Sequence, residues 1–358
     1  MDTSKTNISG QPLLIQREPV GCQDGFRMED YWVWCGSAVR DEKGLYHLFA
    51  SRWQKSLPFK PHWLTNSEIV RAQSDKPCGP YKFEEVVLGQ RGQQFWDGRM
   101  THNPTMHKYG SKYLLFYTGT TYKGKSPVSP EFVLADNNSE LAVEARRNQR
   151  IGLAIADSPL GPWERFDKPV FDVSDSGWDS WMVTNPAVCI NDDGSILLIY
   201  KAVSNHRDKL KLGVAKAKGL GADFVRLKQS SLFDFERIGQ HVEDPYVWWE
   251  DNRYNMVMKD MNGGICGEKG GGIYAYSEDG IDWQIADNPL AYTREVAFEG
   301  GALKKLGSLE RPQLFFESDG NVIMFAATAD ISLSQGQPKY SKNIAIKLER
   351  NNNENIVH

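Results

Sequence analysis

A two-part pattern of apolar and polar residues repeats along this chain. The first part has polar residues, a proline, an apolar stretch, a turn containing Gly or Asn, and a second apolar stretch. The second apolar stretch begins nine or ten residues after the proline, which predicts a β-hairpin. Full copies begin at His102, Thr184, Glu243 and Glu310, and a degenerate copy without the proline spans residues 35–50.

A second unit follows each hairpin, and it predicts two more strands. It has an alternating stretch, a Gly-bearing turn and an aromatic residue, and it starts at Ile69, Ile151, Leu212 and Gly272, with a shorter closing form at Asn343. Four short strands repeated five times, at a spacing of roughly 60 to 80 residues, predict an all-β, five-bladed β-propeller. We expect residues 1–358 to form one domain, with residues 12–18 closing the ring. An insertion at 122–150 ends in the one predicted helix.

Composition and charge narrow the class of protein. The net charge of −4 argues against a broad nucleic-acid or acidic-membrane surface, and no apolar run approaches the ~20 residues that span a bilayer. The first ten residues are polar and lack a signal-peptide core, so we expect a cytoplasmic protein, or a periplasmic or secreted one if a leader has been removed. Five scattered cysteines predict reduced thiols.

The propeller brings distant polar residues together. The first strand of each blade lines the central channel, so the residues just before the prolines should meet at one mouth of it. Blade one has no acid at the equivalent place, and Asp30 lies upstream of it. The other four blades supply His102 and Asn103, Thr184 and Asn185, Glu243 and Asp244, and Glu310 and Arg311.

These features resemble the five-bladed propeller glycoside hydrolases of families 43, 32 and 117 over essentially the whole chain. The resemblance implies a base or nucleophile near the first blade's inner strand, matched by Asp30. It also implies an acid directly before a proline, matched by Asp244, and a proton-donating Glu two residues before one, matched by Glu243 and Glu310. The elements "VEDP" and "THNP" are closest to family 117. That family uses a histidine after the fourth blade's hairpin, where this chain offers Glu268.

The resemblance implies an exo-acting glycoside hydrolase with an oligosaccharide substrate. Glycoside cleavage needs a carboxylic acid to protonate the leaving oxygen and a carboxylate on the other side of the sugar. Acids on opposite blades would suit the wider spacing of inverting enzymes, so we expect inversion. The predicted substrate-binding residues are His102, Asn103, Asn185, Arg52, Trp34, Lys259, Glu268 and Arg311.

Strand geometry separates the roles of the adjacent acids. Successive side chains of a strand point to opposite faces, which predicts that Glu243 and Asp244 cannot both face the channel. We expect Asp244 to face the substrate, while Glu243 reaches across as proton donor or pairs with Lys259 or Arg311. An Asp before a proline also often caps a turn, so a purely structural interpretation stays open.

Two other functions remain open. A glycoside phosphorylase on the same fold would need a cationic phosphate pocket, for which Arg52, Lys201, Lys259 and Arg311 are candidates. A carbohydrate-binding propeller without catalysis would explain the absence of an Asp-Pro in the first blade. No metal-ligand spacing is evident, so no cofactor is expected to be required, although an axial divalent cation is compatible with such channels. The 122–150 insertion offers a surface for a homo-oligomer.

Overall fold

The strands form five four-stranded antiparallel sheets, and the predicted five-bladed propeller is confirmed. The computed structural model of the protein describes residues 17–128, 134–298 and 302–350. Each sheet is a blade, and in the first four blades the strands run outward from the channel in chain order, because consecutive strands pair with each other.

The strands occupy equivalent places in each blade. The inner strands are β2 (Tyr31–Arg40), β6 (Met100–Tyr109), β10 (Met182–Ile190), β14 (Val242–Glu250) and β20 (Glu310–Phe316). The second strands are β3 (Tyr46–Gln54), β7 (Lys112–Thr120), β11 (Ile196–Val203), β15 (Arg253–Asp260) and β21 (Val322–Ala329). The third strands are β4 (Glu68–Ser74), β8 (Arg150–Ala156), β12 (Lys211–Ala217), β16 (Gly272–Ser277) and β22 (Ser341–Arg350). The outer strands are β5 (Lys82–Leu88), β9 (Glu164–Arg165), β13 (Val225–Arg226), β17 (Gln284–Tyr292) and β1 (Arg17–Phe26).

The N-terminal strand closes the ring. β1 pairs antiparallel with β22 and so supplies the outer strand of the fifth blade. Of the predicted closing segment, residues 17–18 open this strand and residues 12–16 lie outside the described residues. A small antiparallel pair, β18 (Glu295–Ala297) with β19 (Leu303–Lys305), precedes the fifth blade and was not predicted.

Apolar side chains pack between neighbouring blades, which fixes the blades around the channel. Leu197 and Ile199 of blade three, for example, pack in one buried cluster with Met256 and Met258 of blade four. The second strands are buried on both faces, which explains their continuous apolar runs. The four cysteines with described side chains are free and buried, as expected for reduced thiols.

Two short helices cover the channel mouth. The predicted helix in the insertion is α2 (Glu140–Arg147), and an unpredicted helix, α1 (Phe59–Asn66), follows β3. Leu64 of α1 packs against Ala142 and Ala145 of α2, so the two insertions form one wall. A 3₁₀ turn spans Phe235–Ile238. Among the described residues, no helix is long and apolar enough to cross a membrane.

One backbone feature repeats in all five blades near the start of the inner strand. The five equivalent residues have left-handed backbone with φ between 51° and 59°, and each lies within an irregularity in the pairing of its strand with the next one. These residues, here called the channel ring, are Cys35, Asn103, Asn185, Asp244 and Arg311. Asn and Asp tolerate this conformation better than most residues do, which accounts for three of the five.

Candidate active site

A pocket of about 310 Å³ lies at the channel mouth. Its floor comes from the starts of the inner strands and its wall from α1, α2 and the loops around residues 270, 308 and 333. The predicted convergence of the strand starts is therefore confirmed. The predicted residues that line the pocket are Trp34, His102, Asn103, Asn185, Glu243, Asp244, Lys259, Glu310 and Arg311.

The side chains of the channel ring form a chain of hydrogen bonds across the pocket floor. The Cys35 thiol donates to Asn103 Oδ1 (2.9 Å), Asn103 Nδ2 donates to Asn185 Oδ1 (2.6 Å), and Asn185 Nδ2 donates to Asp244 Oδ1 (2.7 Å). The backbone N–H of Arg311 donates to Asp244 Oδ2 at 3.2 Å. The floor is thus a connected polar network that ends on the Asp244 carboxyl.

Two buried lysines and two partly buried glutamates form an ionic cluster beside this floor. Glu243 lies 3.0 Å from Lys201 Nζ and 3.2 Å from Lys259 Nζ, and Lys259 Nζ also lies 2.6 Å from Glu310 Oε1. Sheet register positions both lysines, because Lys201 pairs with Thr184 and Lys259 pairs with Glu243, the residues just before the ring. Lys259 therefore joins glutamates of the fourth and fifth blades.

The pocket shifts the pKa values of its three carboxyls in different directions. Burial alone would raise the pKa of Glu243, but Lys201 and Lys259 together hold it well below its ordinary value. Burial raises the pKa of Glu310, with Lys259 opposing the rise and the Glu243 charge reinforcing it. Burial and the Glu243 charge likewise raise the pKa of Asp244. The cluster therefore holds Glu243 ionised and favours a proton on its neighbours.

His102 stays neutral in this setting. Burial lowers its pKa well below the ordinary value, and the charges of Arg311 and Lys201 lower it further. Its Nδ1 is 2.8 Å from Ser67 Oγ, and its ring packs against Trp53 and Trp63. The imidazole is thus placed as a neutral hydrogen-bonding group rather than as a cation.

The acids are close enough to be considered as metal ligands. One oxygen of each of Glu243, Asp244 and Glu310 lies within 4.8 Å of the others. Lys259, however, already lies against both glutamates, and their charges raise its pKa despite burial, so it stays protonated. A divalent cation bound by all three acids would have to displace this ammonium group. The residues therefore fit a lysine-bridged acid cluster better than a metal centre.

Three predicted site residues do not line the pocket. Asp30 is exposed and precedes β2, and the first-blade equivalent of the Asp-Pro acids is Cys35, so placing Asp30 at the site was wrong. Arg52 lies one residue beyond Ser51, which is the counterpart of Lys201, so it points to the other side of the sheet. There it pairs with Glu68 at 2.9 Å.

Glu268 does not line the pocket but contacts a residue that does. Its carboxylate accepts a 3.0 Å hydrogen bond from the backbone N–H of Arg294 and lies 3.6 Å from Arg294 Nε. Arg294 itself lines the pocket, so Glu268 positions a pocket residue and does not face the cavity.

The prediction that only one of Glu243 and Asp244 faces the channel was wrong. Both line the pocket, because the left-handed backbone at Asp244 (φ 58°) interrupts the alternation of the strand. The alternative that pairs Glu243 with Lys259 is confirmed by their 3.2 Å contact.

Several pocket residues were not identified from the sequence. Trp53 lies near the end of β3. The others come from the insertions and loops, where no repeat marks them, and they are Lys60, Trp63, Arg146, Lys269 and Arg294. The length of segments 53–66 and 122–150 was the available signal, since long inserted loops commonly shape sites. Trp248, in contrast, lies in a separate pocket with His107 and Cys189.

Solved structures share this architecture. A family 117 glycoside hydrolase of the marine bacterium Zobellia galactanivorans is 16% identical, with a TM-score of 0.62 over 92% of this chain and 90% of that one. A thermostable family 43 glycoside hydrolase is 16% identical, with a TM-score of 0.58 and coverage of 88% and 89%. An endo-arabinase of Bacteroides thetaiotaomicron is 14% identical, with a TM-score of 0.57 and coverage of 88% and 93%.

These similarities define the fold class. The chain has the five-bladed propeller fold of glycoside hydrolases, as its sequence predicted. No protein-family model and no curated protein sequence matches the chain. Because the identities are low, function rests on the geometry of the pocket.

Proposed function

We propose that this protein is a glycosidase that removes a terminal sugar from an oligosaccharide, with Glu310 as the proton donor and Glu243 as the carboxylate at the anomeric carbon. One observation carries the proposal: two glutamates of a sugar-sized pocket share Lys259, yet the pKa of Glu243 is lowered and the pKa of Glu310 is raised. A pair of carboxyls with separated pKa values is the arrangement that acid–carboxylate catalysis requires.

The shape of the pocket supports action on chain ends. Its volume of about 310 Å³ is at the lower end of the ~300–1,000 Å³ that small-molecule sites occupy. The α1–α2 wall limits it on one side, and Trp34 and Trp63 offer aromatic faces for the C–H surface of a sugar. One sugar unit fits this space better than an extended chain does.

The spacing of the acids favours retention of configuration. Retaining enzymes place their two carboxyl groups about 5 Å apart, and inverting enzymes about 6.5–9.5 Å apart. One oxygen of Glu243 and one of Glu310 lie within 4.8 Å of each other on neighbouring blades, which is closer than the spacing of inverting enzymes. The expectation of inversion assumed acids on opposite blades, and the described pocket has none there. In the proposed mechanism Glu243 attacks the anomeric carbon while Glu310 protonates the leaving oxygen, so the glycosidic bond breaks and a glycosyl ester forms on Glu243. Glu310 then takes a proton from water, which attacks the anomeric carbon, breaks the ester bond and releases the sugar.

A glycoside phosphorylase is the second candidate. It is favoured by the guanidinium of Arg311, which lies at the pocket floor without a hydrogen-bond acceptor among the described residues and is placed to bind an anion. In that case phosphate, rather than Glu243, attacks the anomeric carbon, and Glu310 remains the proton donor to the leaving oxygen.

A panel of aryl glycosides and oligosaccharides, assayed with and without inorganic phosphate, tests the proposal. A glycosidase releases free sugar in both conditions, whereas a phosphorylase releases sugar 1-phosphate only with phosphate. Binding of oligosaccharides without cleavage of any of them would leave a carbohydrate-binding propeller and refute both enzymatic functions.

A further inference from the structure

The pocket carries a surplus of positive charge, although the whole chain has a net charge of −4. Its three carboxyls are matched by three inner cations, Lys201, Lys259 and Arg311. Four more cations line its wall: Lys60, Arg146, Lys269 and Arg294. The surplus therefore lies on the wall, away from the paired charges of the floor.

Most of the wall cations have no acidic partner. Arg294 pairs with Glu268, but no ion pair in the described part of the chain holds Lys60, Arg146 or Lys269. Within the described ranges, Lys60 Nζ donates only to the backbone oxygen of Leu333 (2.5 Å). These cations come from three separate segments, namely α1, α2 and the loop after β15. Lys60 and Arg146 are partly buried, whereas Lys269 is exposed.

Burial makes this charge costly in the absence of an anion. Burial lowers the pKa of both Lys60 and Arg146, which indicates that water solvates their charges poorly. The charge of Glu243 opposes the shift for both residues, and that of Glu310 also opposes it for Lys60, but neither outweighs burial. Positive charge focused in a concave site attracts anions, and charge-assisted hydrogen bonds then hold them.

On the pocket floor, Asp244 matches the charge of Arg311, but the guanidinium donors of Arg311 lack hydrogen-bond partners among the described residues. Arg311 is 2% exposed, and none of its three guanidinium nitrogens reaches a hydrogen-bond acceptor among the described residues. Its nearest carboxylate oxygen, Asp244 Oδ1, lies 3.6 Å away. A buried guanidinium without hydrogen bonds is unfavourable, so the empty donors point to a bound oxygen-rich group.

We propose that the pocket binds an anionic sugar, whose carboxylate, sulfate or phosphate group contacts Arg146, Lys60 and Lys269 on the wall. The inference rests on the proposed function in taking the ligand to be a sugar, and it adds the substrate class. The glutamates form their ion pairs with Lys201 and Lys259 and with none of these three wall cations among the described residues, which leaves the wall cations available to an anionic substituent on the sugar.

Calorimetric titration of the full chain with matched sugars tests this. The ligands are galacturonate with galactose, glucuronate with glucose, glucose 6-phosphate with glucose, a sulfated sugar with its neutral parent, and inorganic phosphate alone. At least one acidic sugar should bind about tenfold more tightly than its neutral partner, and the preference should weaken at high ionic strength.

Two variants and a matched control test which residues cause the preference for acidic sugars. Arg146→Gln and Lys269→Gln should each reduce the acidic preference severalfold. Arg147→Gln removes the neighbouring exposed charge of the same helix, which does not line the pocket, and should retain the preference. Preservation of the preference in both pocket variants would overturn the assignment of the wall.

The other outcomes separate this inference from the proposed function. Equal binding of acidic and neutral sugars, no binding at all, or phosphate alone binding as tightly as the acidic sugars would overturn the anionic-sugar proposal. Cleavage of neutral glycosides with no acidic preference would leave the glycosidase proposal intact. Binding of acidic sugars without cleavage of any glycoside would support the anionic-sugar proposal and refute the glycosidase proposal.

Discussion

Lys259 and Glu310 lie 2.6 Å apart although they belong to different blades. Lys259 also contacts Glu243 on its own blade, so the position of the proposed proton donor depends on the packing of blade five against blade four. A short charged contact across a blade interface is a sensitive point of the molecule, because small shifts of one blade change the protonation of the donor.

Removal of the Lys259 charge should move the alkaline limb of the pH–activity profile to higher pH. Lys259 lowers the pKa of Glu310, so Lys259→Met should raise it. Activity requires protonated Glu310 and is lost as the pH rises through its pKa, so the alkaline limb should move to higher pH. The pH dependence of kcat/KM measures this shift. An unchanged alkaline limb in a folded variant would show that Glu310 is not the donor.

Loss of the Glu243 charge should have the opposite effect on Glu310. The Glu243 carboxylate raises the pKa of Glu310, so Glu243→Gln should move the alkaline limb of the residual activity to lower pH. Turnover itself should fall by about two or more orders of magnitude on all substrates, because the variant lacks the attacking carboxylate. In the wild type, the lowered pKa of Glu243 should extend activity far to the acidic side. A loss confined to poor leaving groups would instead make Glu243 the donor.

The channel ring should contribute to stability through Asn185. Its side chain donates to Asp244 and accepts from Asn103, and its backbone is left-handed. Asn185→Ala should lower the free energy of unfolding by about 2–4 kcal/mol, from the unpaired buried groups and from the strain of alanine in this conformation. Asn185→Gly removes the same hydrogen bonds without the strain. Urea denaturation should find the glycine variant the more stable of the two, and equal stabilities would contradict the strain argument.

The stereochemical course follows from the acid spacing. With oxygens of Glu243 and Glu310 within 4.8 Å, the first sugar released should have the anomeric configuration of the substrate. Proton NMR recorded during the first turnovers distinguishes the anomers before they equilibrate. An inverted first product would require a water between more distant groups and would exclude Glu243 as nucleophile.

Much of the fold was predictable because each blade is encoded locally. The proline-marked hairpins and the alternating strands recur at equivalent positions, and even the degenerate first copy aligns through Gly36. Helix α1 was not predictable, since it contains Pro61 and has no clear apolar stripe. Its apolar contacts with α2, through Leu64, are visible only in the folded chain.

The site was predictable where it follows the repeat. Glu243, Asp244 and Glu310 were found because each shares a fixed offset from a proline. Asp30 was assigned by proximity in sequence rather than by that offset, and this assignment failed. The prediction that Arg52 lines the pocket failed because a shift of one residue along a strand places a side chain on the opposite face of the sheet. The wall cations come from inserted segments, whose packing no periodic pattern describes.

The central claim is that Glu310 protonates the leaving group, and a leaving-group series tests it most directly. For aryl glycosides of the sugar that the wild type cleaves, kcat/KM of Glu310→Gln should fall by about 10²–10⁴-fold for poor leaving groups and little for dinitrophenolate, which departs without a proton. The series is measured for the wild type and for Glu268→Gln, which alters an acid near the pocket that does not face it. A uniform loss across the series in Glu310→Gln, or full activity on poor leaving groups, would contradict the assignment.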